Sequence, residues 1–202
     1  MLMKVLYGTT NTAKLNSMRR ITQHMDLELL GLNDLDQPPP DIIEGGKDPL
    51  ENARIKAMAY YNAFSMPVFS CDSGLYFDGL DDALQPGTHI RRVGGKALTD
   101  EEMLTYYASL AADHGGMLKG RYRNAIYFIL DETTHYFSMD DSLASAPFGL
   151  CARAHAKRVP GFPLDALSVD PATGTYYYDM DDAAADSLFT ESGFKRFFSS
   201  IL

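Results

Sequence analysis

Residues that build covalent or metal frameworks are scarce in this chain. Cys71 and Cys151 are its only cysteines, and no CxxC spacing occurs. A disulfide framework is therefore not expected. The five histidines are scattered and form no HxxxH pair, so a zinc site has no support either.

Long hydrophobic runs are missing as well. No segment approaches the roughly 18 consecutive apolar residues that a membrane helix needs. The N-terminal sequence MLMKVLYGTTN is apolar for only a few residues before polar residues begin, which is not the pattern of a signal peptide. We therefore expect a cytoplasmic protein.

Positive charge is in the minority, with 18 basic against 27 acidic residues and a net charge of −9. This balance argues against a broad surface for nucleic acid or acidic membranes. An acidic protein can still bind a polyanion through a local basic pocket and a divalent cation. The length of 202 residues suits a single domain, or two lobes that share a sheet.

The first half of the chain alternates between strand and helix patterns. Residues 4–8 (KVLYG) predict a strand, and apolar residues at helical spacing follow from 15 to 25. A second strand is predicted at residues 27–32, before a loop that contains three consecutive prolines. Asp48, with Pro49 and Glu51, predicts the capped start of the next helix.

A short buried strand at residues 67–71 (PVFSC) completes the first half and is expected to end at Asp72-Ser73-Gly74. Antiparallel elements dominate the second half. Thr99 and Glu102 predict a capped helix. Residues 122–130 and 134–143 predict a hairpin that turns at Asp131-Glu132, and residues 186–201 a last helix. The predicted fold class is α/β (mixed α+β), a long twisted mixed sheet with flanking helices. In such sheets ligands bind beyond the carboxyl ends of strands.

The segment GTTNTAK, Gly8 to Lys14, is a candidate phosphate site at one such strand end. A strand that opens directly into a helix presents free backbone N–H groups, and the helix dipole favours an anion there. Lys14 can neutralise phosphate charge. The candidate contacts are Thr9, Thr10, Asn11, Thr12, Ala13 and Lys14. The alternative is an ordinary helix cap with a solvated lysine, because the glycine-rich P-loop pattern is incomplete.

Two further segments carry candidate ligands. In EGG followed by ENARIKA, Asn52 and Lys56 are four residues apart and so share a helix face that can be aimed at a phosphate. Glu44 precedes two glycines, on a loop where a carboxylate can approach a metal. In CDSGL, Asp72 follows an apolar strand. The alternatives are surface residues of an amphipathic helix, and an aspartate that initiates a turn.

Taken together, these side chains predict metal-assisted hydrolysis of a phosphoanhydride. Mg²⁺ is bound by one or two carboxylates together with substrate phosphates, and Glu44 and Asp72 supply the carboxylates. Lys14 and Lys56 supply the cations that phosphoryl-transfer chemistry requires.

The order and approximate spacing of TTNTAK, EGG, ENARIKA, CDSGL and PGTHIRRVGG resemble the inosine triphosphate pyrophosphatase family over about residues 3–100. That family hydrolyses non-standard purine nucleoside triphosphates, such as those of inosine and xanthosine, to monophosphate and pyrophosphate. The resemblance implies a two-lobed fold with a central cleft, and a homodimer. It assigns the triphosphate to Thr9–Lys14 and Lys56, and Mg²⁺ to Glu44 and Asp72. Asp72 is then also the base that activates water.

Other positions follow the family less closely. Ser73 and Arg92 match as a substrate contact and a cleft residue, but Cys71 replaces the first of two aspartates usual before the Ser-Gly pair. The family's base-binding Gly-Phe-Gly-Tyr-Asp-Pro loop has its best counterpart in GFPLDA, which keeps Phe162 and Asp165.

The family's C-terminal Ser-His-Arg, which reads the purine's six-position oxygen, is absent. SGFKRF is the nearest segment, where Lys195 or Arg196 can substitute only in principle. The preferred base is therefore left open. Two alternatives remain: a nucleotide-binding protein without turnover, and a pyrophosphatase for a pyrimidine or modified nucleotide.

Overall fold

The structure, a computed structural model, describes residues 2–180 and 191–202. Its strands are β1 Met3–Tyr7, β2 Leu27–Gly31, β3 Val68–Phe77, β4 Arg92–Val93, β5 Lys96–Ala97, β6 Met117–Ile129, β7 His135–Ser138, β8 Phe148–Cys151 and β9 Ser168–Val169. Its helices are α1 Thr12–Thr22, α2 Pro49–Phe64, α3 Asp100–Asp113 and α4 Glu191–Ser199. The predicted mixed α/β class is confirmed. None of the described helices is long and apolar enough to cross a membrane.

The main sheet is mixed, with the strand order β2-β1-β3-β6-β8-β9, and β7 pairs with β6. Strand β1 is parallel to β2 and to β3, whereas β6 is antiparallel to β7 and β8. Strands β4 and β5 form a separate two-stranded ribbon. The described chain divides into two compact units. The first unit comprises Met1–Ser73, Arg123–Ala144 and Thr190–Leu202. The second unit comprises Gly74–Tyr122 and Ser145–Phe189.

The parallel strands of the first unit create a favourable position for a ligand. Strand β1 lies between β2 and β3, so the chain reverses direction across the sheet after β2. The carboxyl end of β1 lies beside the start of β3, since Tyr7 is level with Phe69 and the Gly8 N–H donates to the Phe69 carbonyl at 2.8 Å. Such a reversal is the place where open α/β sheets bind ligands.

Helices α1 and α2 cover opposite faces of these strands. Leu15 and Met18 of α1 pack in one core with Val5, whereas Ala53 and Ala57 of α2 belong to another core. The alternation of side chains along a strand separates these two cores.

The second unit has a core of its own. Tyr107 and Leu110 of α3 pack in one cluster with Phe148 and Leu150 of β8, and all four side chains are buried. The phenolic hydroxyl of Tyr107 donates to the Ile90 carbonyl at 2.8 Å, which satisfies its polar end inside the core.

The predicted helix starts are confirmed at both capped helices. The Asp48 carboxylate accepts the Glu51 N–H at 2.9 Å, but Glu51 in turn accepts from the Lys47 N–H rather than from Asp48. At α3, Thr99 and Glu102 form the full reciprocal box.

Strand β3 continues to Phe77 instead of ending at Cys71 as predicted. Beyond Ser73 its backbone groups find partners, because Leu75 and Gly87 exchange hydrogen bonds of 2.9 and 3.0 Å. Leu75 and Phe77 are also buried, so the extension has an apolar face to stabilise it. Asp72 and Ser73 therefore lie within a strand, and not in a turn.

The predicted hairpin exists with different limits. Its turn is confirmed at Asp131, whose carboxylate accepts the Thr133 and Thr134 N–H groups at 2.9 and 2.8 Å. Strand β6 begins earlier, at Met117, because this segment pairs with β8, and β7 already ends at Ser138. Of the predicted last helix, residues 191–199 are confirmed, and residues 186–190 lie outside the described part of the chain.

Gly193 lies inside α4, where a neighbouring turn leaves no room for a larger side chain. A Cβ atom at this position would fall well inside van der Waals contact with the backbone carbonyl of Ser142. We expect Gly193→Ala to lower the free energy of unfolding by about 1–3 kcal/mol, although alanine is the better helix former. Urea denaturation measures the change, with the exposed neighbour Ser192→Ala as control. A Gly193→Ala chain as stable as the unaltered one would contradict this contact.

Candidate active site

The turn between β1 and α1 presents an exposed helix N-terminus. Asn11 caps α1, because its side chain accepts the Lys14 N–H at 3.1 Å, and its own N–H donates to the Thr9 hydroxyl at 3.2 Å. Thr10, Thr12 and Lys14 are exposed. Asn11 is thus a helix cap, and the segment also offers an open, positively polarised helix end.

Asn52 connects the EGG loop to strand β3. Its Oδ1 accepts the Gly46 N–H at 2.8 Å, and its Nδ2 donates to Asp72 Oδ2 at 3.1 Å. Its side chain is buried, with 2% exposure. A Cβ on Gly46 would lie 2.6 Å from the Asn52 Oδ1, which explains the glycine at this close approach. Asn52 therefore directs its amide at a carboxylate in this structure.

Lys56 brings Glu44 and Asp72 together. Its ammonium lies 2.9 Å from Asp72 Oδ1 and 3.2 Å from Glu44 Oε2. The Lys56 and Asp72 side chains are mostly buried, at 12% and 16% exposure, whereas Glu44 is 46% exposed. Burial alone would lower the pKa of Lys56, but the Asp72 and Glu44 carboxylates outweigh it and raise that pKa. The three charges form one cluster that is open to solvent on the Glu44 side.

Both Asp72 carboxylate oxygens have a donor. Lys56 binds Oδ1 and Asn52 binds Oδ2, and both donors come from α2, one helical turn apart. The helix spacing recognised in ENARIKA therefore serves to hold Asp72 in a fixed orientation. Within the described residues, no group of three or more His, Cys, Asp or Glu side chains is arranged to hold a metal ion.

Cys71 and Ser73 flank Asp72 in β3, so they face the opposite side of the sheet. Cys71 packs against the core that contains Leu15 and Met18. Burial raises the pKa of the Cys71 thiol to about 12, although Tyr7 and Lys14 oppose the shift. A thiol that stays protonated carries no charge, so this position lacks the carboxylate usual in the family that the motifs resemble.

Comparison with known sequences decides the family. A sequence model of the Ham1 family matches residues 5–140. The chain belongs to the Ham1 family. This result confirms the resemblance to inosine triphosphate pyrophosphatases.

Curated relatives each match about half of the chain. A dITP/XTP pyrophosphatase of Oceanobacillus iheyensis is 34% identical over 98 residues, 48% of this chain and 49% of the relative. That of Lactobacillus acidophilus is 34% identical over 116 residues, 56% of this chain and 54% of the relative. The chain thus matches about half the length of these relatives.

Solved Ham1 structures resemble the whole fold. A HAM1 protein from Coxiella burnetii superposes with a TM-score of 0.76 at 18% identity, covering 99% of this chain and 98% of the other. The Staphylococcus aureus Ham1 protein gives 0.75 at 17% identity, covering 98% of each. At these identities the likeness establishes the Ham1 fold.

The second unit holds Phe162 and Asp165, which the family resemblance predicts to be base contacts. Phe162 and Asp165 line a cavity of about 200 Å³ together with Arg91 and Tyr122. Phe162 is 54% exposed, and burial raises the pKa of Asp165. Arg92, which sequence reasoning selected, is exposed on β4 and is not among the residues that line this cavity.

Sequence reasoning missed Asn124. It lies in β6, and its side chain bonds to Ser73 and to the Leu143 carbonyl, each at 2.7 Å. None of the motifs that carry the family resemblance includes this position. The sole sequence signal is a polar amide that directly precedes the apolar run AIYFIL.

Proposed function

We propose that this chain is a nucleoside triphosphate pyrophosphatase that converts non-standard purine nucleotides to monophosphate and pyrophosphate. The observation that carries the proposal is the convergence of Glu44, Lys56 and Asp72 in the unit that also holds the exposed N-terminus of α1. The names of the curated relatives, dITP/XTP pyrophosphatases, support the substrate class.

The donor set fits a magnesium ion that arrives with the nucleotide. Glu44 and Asp72 converge on one point, now shared with the Lys56 ammonium, so their oxygens can approach a common cation. Two carboxylates would suit Mg²⁺, which proteins bind through one or two carboxylates together with substrate phosphates. We propose that Glu44 and Asp72 hold it. When bound, the ion would neutralise phosphate charge as a Lewis acid.

The residues of the first unit then have distinct tasks. Thr9 to Lys14 are proposed to bind the phosphates at the N-terminus of α1, where backbone dipole and lysine charge act together. Lys56 orients the carboxylates and offers a second cation to the leaving group. Asn52 is proposed to act on the substrate through Asp72, whose orientation it fixes.

Asp72 is proposed as the general base. A water oxygen forms a bond to the α-phosphorus, the bond from that phosphorus to the bridging oxygen breaks, and pyrophosphate leaves. The proton of the water passes to the Asp72 carboxylate. The hydrogen bonds from Lys56 and Asn52 hold this carboxylate in one position, which general base catalysis requires.

The remaining assignments come from the family resemblance. Ser73, Arg92, Phe162 and Asp165 are proposed substrate contacts, and the whole of residues 1–202 is proposed to act as one pyrophosphatase domain. We also carry over a homodimer and a cytoplasmic location as proposals.

A substrate screen tests the function. The purified chain is incubated with the triphosphates of inosine, deoxyinosine, xanthosine, adenosine and cytidine, with Mg²⁺ or with excess EDTA. Pyrophosphate and orthophosphate are measured separately. We expect monophosphate and pyrophosphate, a kcat/KM about tenfold or more higher for inosine than for adenosine triphosphate, and no turnover in EDTA.

The screen also separates the alternatives. Release of orthophosphate without pyrophosphate would refute the proposed bond cleavage. Nucleotide binding without turnover would favour a sensor or sequestering protein, and faster turnover of the cytidine nucleotide would favour a pyrimidine substrate.

A further inference from the structure

A chain of two short hydrogen bonds leads from the candidate site into the protein. The Ser73 hydroxyl lies 2.7 Å from Asn124 Oδ1, and the Asn124 Nδ2 donates to the Leu143 carbonyl at 2.7 Å. Ser73 directly follows Asp72 in β3, and Asn124 lies in β6. All these atoms belong to the first compact unit.

The direction of these bonds follows from the chemistry of the Leu143 carbonyl. A carbonyl oxygen only accepts, so the Asn124 amide must turn its nitrogen toward Leu143. The amide oxygen then faces Ser73 and requires a donor. The Ser73 hydroxyl therefore donates its proton to Asn124, and the Ser73 oxygen can only accept a hydrogen bond from a ligand.

The Leu143 carbonyl, where this series of hydrogen bonds ends, is held in place by its surroundings. Leu143 is 1% exposed, and its N–H donates to the Asp140 carbonyl at 3.0 Å. The preceding Ser142 carbonyl lies against Gly193 of α4 at a distance that leaves no room for a Cβ. Because helix and core fix this turn, the Asn124 amide has no freedom to flip and release the Ser73 proton.

We propose that Asn124 is a positioning residue that fixes Ser73 as a hydrogen-bond acceptor toward the nucleotide. The inference rests on the proposed function and deepens it. The group that meets Ser73 must then be a donor, such as a hydroxyl or an N–H of the nucleoside. Ser73 does not donate to a phosphate oxygen, although Cys71, on the same side of β3, lies within the electrostatic reach of Lys14.

Binding measurements with two probes test the acceptor assignment. Inosine 5′-(α,β-imido)triphosphate carries the nucleoside and resists the proposed cleavage, whereas inorganic tripolyphosphate carries phosphate only. For Ser73→Ala and for Asn124→Ala we expect an affinity for the nucleotide analogue about fivefold to tenfold lower, the loss of one neutral hydrogen bond. The affinity for tripolyphosphate should change less than about twofold. Equal losses for both probes would overturn the assignment.

A double variant tests whether Asn124 acts through Ser73. If it does, Ser73→Ala/Asn124→Ala should bind the analogue no more weakly than the weaker single variant. Additive losses would show that Asn124 acts independently and would overturn the positioning role. The near-isosteric Asn124→Leu replaces Asn124→Ala if the latter does not fold, as judged by thermal unfolding.

These measurements need no turnover, so the two proposals fail separately. If the unaltered chain binds the analogue but hydrolyses no triphosphate, hydrolysis is refuted. The comparison of the single and double variants then still decides the role of Asn124. If the chain binds neither probe, both proposals are wrong.

Discussion

Asp72→Asn is expected to lower kcat/KM for inosine triphosphate by about a thousandfold, the typical contribution of a general base. The amide cannot take up the proton of the attacking water. It also cannot reproduce the hydrogen bonds of the carboxylate, because both oxygens of Asp72 accept, one from Lys56 and one from Asn52. Its NH₂ group must face one of these donors, so the orientation of the side chain is lost as well.

Asp78→Asn is the matched control, since Asp78 is exposed just beyond the other end of β3. Steady-state pyrophosphate release gives kcat and KM for both variants, and circular dichroism on heating shows whether each is folded. We expect the Asp78 variant to match the unaltered chain. Undiminished turnover of a folded Asp72→Asn chain would remove Asp72 from the mechanism.

Local sequence signals predicted the elements that depend on neighbouring residues. The caps at Asp48 and Thr99 were predictable because a cap is completed within three residues. The turn at Asp131 is likewise local, since its carboxylate bonds only to Thr133 and Thr134. Such features need no knowledge of the rest of the fold.

The limits of β3 depended on a distant partner and were predicted wrongly. The Asp-Ser-Gly sequence is typical of a turn, but its extension pairs with Gly87, twelve residues beyond Leu75. Two backbone hydrogen bonds and the burial of Leu75 and Phe77 outweigh the turn propensity of Asp-Ser-Gly. Neither effect is visible in a window of neighbouring residues.

The sequence selected residues of the candidate site, but it did not predict the hydrogen bonds between them. The spacing of Asn52 and Lys56 correctly placed both on one face of α2. The sequence could not show that this face meets Asp72, because that contact depends on how α2 packs on the sheet. Asn124 remained unnoticed for the same reason, since its partners are 51 and 19 residues away.

The two sides of β3 differ in whether a charged side chain of the strand is paired. On the α2 side, Asp72 is matched by Lys56 and by the amide of Asn52. On the opposite side, Cys71 stays neutral and leaves Lys14 without a neighbouring carboxylate at that position. A lysine that is not neutralised by the protein is better able to attract phosphate.

Lys56→Met is expected to affect stability and catalysis together. Methionine keeps the length of the side chain but leaves the mostly buried Asp72 without its cation and next to Glu44. The loss of a partner for one buried polar group predicts a free energy of unfolding about 1–3 kcal/mol lower. The kcat/KM should fall by about a hundredfold or more, because a cation is lost from the transition state and the base is less well oriented.

Lys47→Met, an exposed lysine at the start of the same segment, is the matched control and should change neither quantity. Urea denaturation with and without Mg²⁺ adds a readout that does not depend on turnover. Without the Lys56 ammonium, the two carboxylates repel each other, so Mg²⁺ should raise the unfolding midpoint more in Lys56→Met than in the unaltered chain. If Mg²⁺ stabilised both equally while activity fell, Lys56 would serve the substrate directly, and Glu44 and Asp72 would not share a cation.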